Sequence, residues 1–362
     1  MRTRFGLVLP PWSFAAAGRD WLDALAGEIG ADELVVPAIT GPIHSLRLAW
    51  PDPTPLFAST GGWHYPADPR AYVAAGLRPA RARWFGTTDE LARLVEHATR
   101  LGLDVVLRAG FRAIPALAET EPHLVAQNAW GQADATGGLC VSQPQVRELL
   151  RAVLADLARF GPGRVEIAGW ELDAGPGPLR WHPVARRVMT ACFCPACRQI
   201  AERAGVAADA LAQAVRTNLA GIVAGIADPT AIERELAAYG AVRRVDAGSW
   251  LERVVSEAGR KAAFEVVEPG RGGELSGVPR YWRAQFGPGD EAAAPDGMSG
   301  WTLAAGRPAV ESGAALVRRT QTAVAAGVGW ISYEGVDEAP PDGVTWIKQA
   351  VRYGRRLAAD AV

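Results

Sequence analysis

The sequence predicts an α/β fold, a (β/α)8 barrel of the TIM type with long loops after its strands. Three observations carry that expectation. A helix–glycine–strand punctuation recurs along the chain, the strand segments are continuously apolar, and the connections are short before strands and long after them. Alternation of helix and strand implies a parallel sheet covered by helices. Sheets of that kind bury both faces, as the runs Leu34-Val35-Val36 and Val105-Val106-Leu107 require.

Phe5–Leu9 reads as the first strand. The amphipathic stretch Trp21–Ile29 then ends at Gly30 and leads into the second, Glu33–Ile39. The same step recurs at Asp89–Leu101, Gly102 and Asp104–Phe111, and at Val146–Phe160, Gly161 and Arg164–Trp170. It returns at Trp250–Ala258, Gly259 and Ala262–Glu268, and at Ala314–Ala326, Gly327 and Gly329–Tyr333. Glycine accepts the left-handed backbone that stops a helix, so each is a stop signal. Thr87–Glu90 and Ser142–Gln145 fit capping boxes at helix starts. Ser299–Ala304 supplies the seventh strand, Gly329–Tyr333 the eighth, and Thr345–Ala359 a closing helix. The sixth strand falls in the Gly/Pro-rich stretch between Pro269 and Met298, where an irregular or incomplete barrel stays open. A doubly wound open sheet is the alternative, but no G-x-G-x-x-G follows a strand, so a dinucleotide site is unsupported.

Residues 1–362 read as a single barrel domain with a helical excursion at about 184–258 after the fourth strand. The long connections run from Thr40 to Gly86 and from Arg112 to Val141. They leave the C-terminal ends of the strands, where barrel enzymes build their sites.

Lys plus Arg number 38 and Asp plus Glu 39, a balance that gives no reason to expect nucleic acid or a membrane surface as partner. No apolar run reaches the roughly 18 residues that span a bilayer. In MRTRFGLVLPPWSF the prolines Pro10 and Pro11 cut the apolar stretch short, as suits a strand and not a signal peptide. The 4 cysteines do not resemble a secreted disulfide framework, so the cytoplasm is the expected location. Oligomeric state is left open.

Several segments together point to a family. They are Gly61-Gly62-Trp63-His64-Tyr65-Pro66, Gln127-Asn128-Ala129-Trp130-Gly131, and Leu139-Cys140-Val141-Ser142-Gln143-Pro144-Gln145-Val146-Arg147. Val165-Glu166-Ile167, Cys192-Phe193-Cys194-Pro195-Ala196-Cys197 and Ala325-Ala326-Gly327-Val328-Gly329-Trp330-Ile331-Ser332-Tyr333 complete the set. The chain resembles uncharacterised bacterial proteins classed with glycoside-hydrolase-like TIM barrels, over most of its length and least between Val206 and Met298. That resemblance implies a carbohydrate-active enzyme of the glycoside-hydrolase kind, a carbohydrate or glycoside as partner, and no required cofactor. Related barrels often carry a carboxylate two residues after the position of Glu166. Here that position is Ala168, with Glu171 and Asp173 following. A non-catalytic glycan-binding barrel is therefore the competing reading.

Glycoside hydrolysis needs two carboxylates across the scissile bond, one protonated and one ionised. Strand ends offer Glu166, Glu171, Glu268 and Glu334 as the catalytic candidates. Glu166 has the parity to point into the barrel, where Arg108 could neutralise it. A structural ion pair is its alternative. Thirteen tryptophans are many, and an indole face suits the C–H face of a sugar. Trp12, Trp63, Trp130 and Trp170 are the candidates, with space-filling as the bland alternative, whereas Trp21, Trp250 and Trp346 read as helix core. His64, Arg108, Asn128, His182 and Tyr333 complete the sugar-binding set. For His64 and His182, packing against a neighbouring Trp competes with an acid, base or ligand role.

Cys192-x-Cys194-x-x-Cys197 is the sharpest local signal. With Cys140 or His182 as fourth ligand, these thiolates could bind a structural zinc. Buried free thiols or a reversible disulfide are the alternatives.

Overall fold

Eight strands pair side by side, all in parallel: β1 (Arg4–Val8), β2 (Glu33–Thr40), β3 (Asp104–Gly110), β4 (Arg164–Ala168), β5 (Ala262–Phe264), β6 (Arg283–Phe286), β7 (Gly300–Ala304) and β8 (Trp330–Glu334). Their order is β5-β4-β3-β2-β1-β8-β7-β6. This is the order around a barrel. A doubly wound sheet would reverse direction within it. The sheet curls through 183° and remains an open, irregular half-barrel flanked by helices. The protein is described from a computed structural model, which covers residues 3–46, 56–84, 88–110, 114–134, 137–168, 188–189, 191–258, 262–264, 283–286, 300–304, 312–338 and 341–360.

The strands follow the apolar runs, and the sixth lies within the Gly/Pro-rich interval. Phe5, Leu7, Leu34, Val36, Val105, Leu107, Val165 and Ile167 face the helices and join the main core, while Val8, Val35 and Val106 make a separate apolar layer inside the barrel. Period-2 alternation sorts these two sets. Helix ends follow the glycine signals: Gly30, Gly102, Gly161 and Gly327 all have positive φ. The Ser142–Gln145 capping box does not form. Gln143 is the N-cap of the helix Pro144–Ala158 and makes no side-chain cap, because Pro144 sets the first turn and leaves Ser142 one residue too early. Asp89 caps the helix Glu90–Arg100 by accepting from Ala92 N–H; Thr87 lies outside the described residues.

The stretch after β2 is ordered by strands of its own. Ile43–Leu46 and Leu56–Ser59 form an antiparallel hairpin, and Gly62–Trp63 returns antiparallel to the end of β2. Gly61 (φ +81°) and Gly62 (φ +116°) make this return possible: a Cβ at either would meet backbone at 2.4 Å or 2.3 Å.

After β4 the helices Pro195–Arg203, Ala208–Val223 and Thr230–Ala258 carry a core of their own, including Val188, Phe193, Leu211, Val215 and Tyr239. The far half of the long helix leaves that core. Its Ala247, Trp250, Leu251 and Val254 pack into the main one. No helix among the described residues is long and apolar enough to cross a membrane.

Gly6 on β1 faces the barrel interior, where an added Cβ would lie 2.6 Å from Glu33 Cγ and 2.8 Å from Ser332 Oγ. Gly6→Ala is expected to lower stability by about 1–3 kcal/mol through overpacking. A shift of the urea midpoint at unchanged slope checks this, and an unmoved midpoint refutes it.

Candidate functional site

Inside the barrel four charged side chains form one network. Arg164 on β4 donates to Glu166 Oε1 at 3.0 Å and reaches Glu33 on β2 at 3.4 Å. Arg108 on β3 donates to Glu166 Oε2 at 3.2 Å through Nη2 and at 3.3 Å through Nε. Ser332 on β8 donates to Glu33 at 3.2 Å, and the Arg164 guanidinium lies 4.5 Å from the Trp330 ring centroid. Glu33 and Glu166 are buried. Burial works against the Arg164 charge, but Glu166 and Glu33 outweigh it and raise its pKa above the ordinary arginine value. Glu166 therefore points inward, as its parity requires, and its two oxygens are engaged by two guanidinium groups.

A second cluster forms where β1 and β2 end. Trp12 follows β1 in the short helix Pro11–Ala17. It stacks on Phe57 of the hairpin at 5.2 Å and lies 4.8 Å from His64 and 6.0 Å from Trp84. The Gly61-Gly62 return brings His64 back to β2, where its N–H donates to Ala38 O. Trp84 Nε1 donates to His64 Nδ1 at 2.8 Å, so that nitrogen carries no proton. His64 Nε2 is then the protonated nitrogen and donates to Thr40 Oγ1 at 2.7 Å; Thr40 donates onward to Gly41 O. Burial lowers the His64 pKa to about 3. Both ring nitrogens are used by the protein, and the ring is neutral at ordinary pH. The Trp12 indole N–H, by contrast, is buried without a hydrogen-bond partner among the described residues.

The carboxyl group of Asp337 is bonded to the helix that carries Trp12. It lies just past β8, is 4% exposed, and accepts from Ser13 Oγ at 2.5 Å. Ser13 follows Trp12 in the same short helix, so the acid and the aromatic cluster are tied to one element. Burial raises the Asp337 pKa to about 6, opposed by the Ser13 hydrogen bond and helped by the nearby charges of Glu338 and Glu334. Glu334, at the end of β8, is half-buried.

The other expected residues are dispersed. Trp63 is buried toward the helices, where its N–H donates to Tyr72 OH at 3.0 Å. Tyr333 likewise faces the helix layer, sharing a 2.9 Å hydrogen bond with Thr320. Asn128 shapes a turn, its Oδ1 accepting from Trp130 N–H and Gln132 N–H at 3.0 Å and 3.1 Å. Trp130 stands on that turn, 40% exposed. Trp170, Glu171, His182 and Glu268 lie outside the described residues.

The cysteines converge. Cys140, Cys192, Cys194 and Cys197 are all buried, with their sulfurs within 4.8 Å of one another. Cys140 Sγ lies 3.4 Å from Cys197 Sγ and 3.7 Å from Cys194 Sγ. A disulfide needs about 2.05 Å, so these are free thiols. Four sulfurs bound tetrahedrally to zinc at about 2.3 Å stand about 3.8 Å apart, close to the 3.4 Å and 3.7 Å separations here, so the donor set is ligand-like. Cys140, one of the two expected fourth donors, completes the set. Gln127 N–H donates to Cys192 Sγ at 3.3 Å, and Arg243 Nε donates to Cys197 Sγ at 3.2 Å. Hydrogen bonds from the other three thiols, assisted by the charge of Arg243, pull the Cys197 pKa far below the ordinary thiol range.

Sequence reasoning missed Phe57, Trp84, Ser13, Asp337 and Arg243. Phe57 and Trp84 lay in the stretch expected to be loop. Asp337 carried a usable signal, since it follows Glu334 by three residues just past a strand end.

The fold has solved counterparts. The chain is similar to α-L-fucosidase isoenzyme 2 from Paenibacillus thiaminolyticus, with a TM-score of 0.57 and 11% identity over 100% of this chain and 50% of that one. It is similar to a β-galactosidase from Bacillus circulans sp. alkalophilus, with a TM-score of 0.56 and 11% identity over 97% and 55%. An exo-β-N-acetylglucosaminidase from Vibrio harveyi gives 0.52 and 11% over 99% and 54%. The chain thus spans little more than half the length of these structures. No protein-family profile matches it, and no curated protein does. At this identity the likeness is one of fold, shared with several glycoside-hydrolase barrels.

The two shifted groups load stability with pH in opposite directions. His64 has a depressed folded pKa, so its contribution is complete above pH 6.5 and is lost as pH falls toward 3. The slope is about 1.4 kcal/mol per pH unit in that window. Asp337 has a raised one, so its contribution is complete below pH 3.8 and is lost as pH rises through about 6. Urea melts of His64→Gln should show less acid sensitivity than the parent between pH 6.5 and 3. Asp337→Asn should gain about 2–3 kcal/mol relative to the parent on going from pH 4 to pH 8. Parallel pH profiles in parent and variants contradict both assignments.

Proposed function

We propose that this chain is a carbohydrate-active barrel that acts on a glycoside at the C-terminal ends of β1, β2 and β8. The observation that carries the reading is the Asp337 carboxyl: buried, bonded to Ser13 in the helix that also carries Trp12, and three residues after Glu334. A glycosidase needs one carboxyl that keeps its proton near neutral pH and one that is ionised. Asp337 has the first character, and Glu334, Glu268 and Glu171 are the candidates for the second. In this reading Glu166 serves the scaffold, because two arginines occupy its oxygens. The likeness of fold to a fucosidase, a galactosidase and an N-acetylglucosaminidase supports the substrate class and leaves the sugar open. Ala168, with the ion-paired Glu166, favours a second reading, a glycan-binding barrel without turnover.

We also infer that Cys140, Cys192, Cys194 and Cys197 hold a structural zinc. It would cross-link the segment before the helix Pro144–Ala158 to the start of the helical excursion, and supply no chemistry to a substrate. The ligand-like sulfur set and its full burial support this.

A glycoside screen on the parent, Glu334→Gln and Asp337→Asn tests the first reading. Turnover in the parent and a loss of about 10²–10⁴-fold in kcat with sugar binding retained is the expected result. Binding without turnover in the parent would move the protein to the second reading, and neither binding nor turnover would sink both. Metal analysis of purified protein is expected to find about one zinc per chain. Its removal, or Cys194→Ser, should lower the thermal midpoint; metal-free, fully stable protein would rule the zinc out.

A further inference from the structure

Arg243 lies on the long helix Thr230–Ala258 and is fully buried, at 0% exposure. A guanidinium is costly to bury without an anion beside it. The group that its Nε meets, at 3.2 Å, is the sulfur of Cys197. Four thiolates around a divalent zinc carry two net negative charges, and burying those in an apolar pocket calls for a cation. The surroundings are of that kind: Ala126, Ala129, Val188, Phe193 and Ala201 line the same core. The local helix favours the same charge state at Cys197. It sits in the first turn of the helix Pro195–Arg203, where the helix dipole stabilises anions. The long helix grips this segment a second time.

That second grip is Tyr239, one turn before Arg243. Its OH donates to Cys192 O at 2.7 Å, its ring stacks on Phe193 at 4.9 Å, and the Arg243 guanidinium lies 5.1 Å from the ring centroid. Tyr239 and Arg243 share one face of the helix at i,i+4 spacing. Further along, Asp246 pairs with Arg147, and Trp250, Leu251 and Val254 enter the barrel's main core. One helix therefore touches the cysteine cluster at one end and the barrel at the other.

We propose that Arg243 is the built-in counter-ion of the cysteine site, neutralising one of the two negative charges of a zinc tetrathiolate and so coupling metal binding to the seating of the long helix on the barrel. The proposal rests on the zinc reading above. Arg243 acts through the ligands and is a positioning residue for the site.

The test uses the full chain in three forms: parent, Arg243→Gln and Arg243→Lys. Zinc affinity is measured by competition with a coloured chelator, and the pH midpoint of zinc release is followed in each. Cobalt(II) substituted for zinc reports the sulfur coordination through its thiolate charge-transfer bands. Arg243→Gln is expected to weaken zinc binding by about tenfold or more and to move the release midpoint to higher pH, because protons then compete better for the sulfurs. Arg243→Lys keeps the charge and is expected to restore most of the affinity and the parental midpoint. Zinc held by Arg243→Gln with parental affinity and midpoint overturns the proposal and leaves the zinc reading standing. Loss in Arg243→Lys equal to that in Arg243→Gln overturns it also, since shape and not charge would then be what matters. Where Arg243→Gln does not fold, Arg243→Lys decides alone by the same criterion. A parent chain that takes up neither zinc nor cobalt overturns the zinc reading and this proposal together.

Discussion

The guanidinium of Arg164, closed inside the barrel between Glu33 and Glu166, constrains the rest of the interior. Removing one member of a buried ion network leaves an uncompensated charge and costs about 3–5 kcal/mol. The network therefore behaves as a unit: two arginines and two glutamates from β2, β3 and β4, closed by Ser332 from β8. It accounts for Gly6 on β1, where any side chain would collide with Glu33. It also accounts for the small apolar layer, since Val8, Val35 and Val106 fill what the charged side chains leave.

This interior sets the two sides of the barrel apart. At β4 the carboxylate that parity aims inward is already bonded on both oxygens, and Ala168 follows it. On the opposite side the strands end in groups of different character. His64 is held neutral and saturated between Trp84 and Thr40, a rigid wedge that orients the aromatic rings around Trp12. Asp337 accepts a short bond from Ser13 and has Glu334 and Glu338 nearby. One buried titratable group is thus spent on architecture and the other is poised close to neutrality. The difference arises from what surrounds each: ring nitrogens matched by a donor and an acceptor, against a carboxyl that meets burial and like charge.

The helical excursion repeats the principle with sulfur. Its core is small and mostly alanine and cysteine. A cluster of four cysteines within 4.8 Å, backed by Arg243 and Tyr239, is the part of that core with the most directional contacts. Because the long helix continues into the main core, order at the cysteines and order at the barrel share one rigid element.

Much of the fold was legible in the chain itself, because it depends on short-range physics. Glycine stops at Gly30, Gly102, Gly161 and Gly327 and apolar runs with period-2 alternation placed the strands and helices, including the inward aim of Glu166 and its pairing with Arg108. The C-x-C-x-x-C spacing marked three of the four cysteines as neighbours. What adjacency along the chain could not decide was where the long stretches after strands return. The hairpin that sets Phe57 on Trp12, the Gly61-Gly62 return that saturates His64, and the meeting of Ser13 with Asp337 across 324 residues are contacts of that kind. So is the turn of Trp63 and Tyr333 toward the helices, which parity alone assigns only once the barrel's inside is known. The sequence by itself determined the alternation, the strand faces and the cysteine motif, because these follow from backbone periodicity and local sterics. The tertiary structure decided which groups surround each carboxyl, because burial and charge pairing depend on side chains brought together from distant strands.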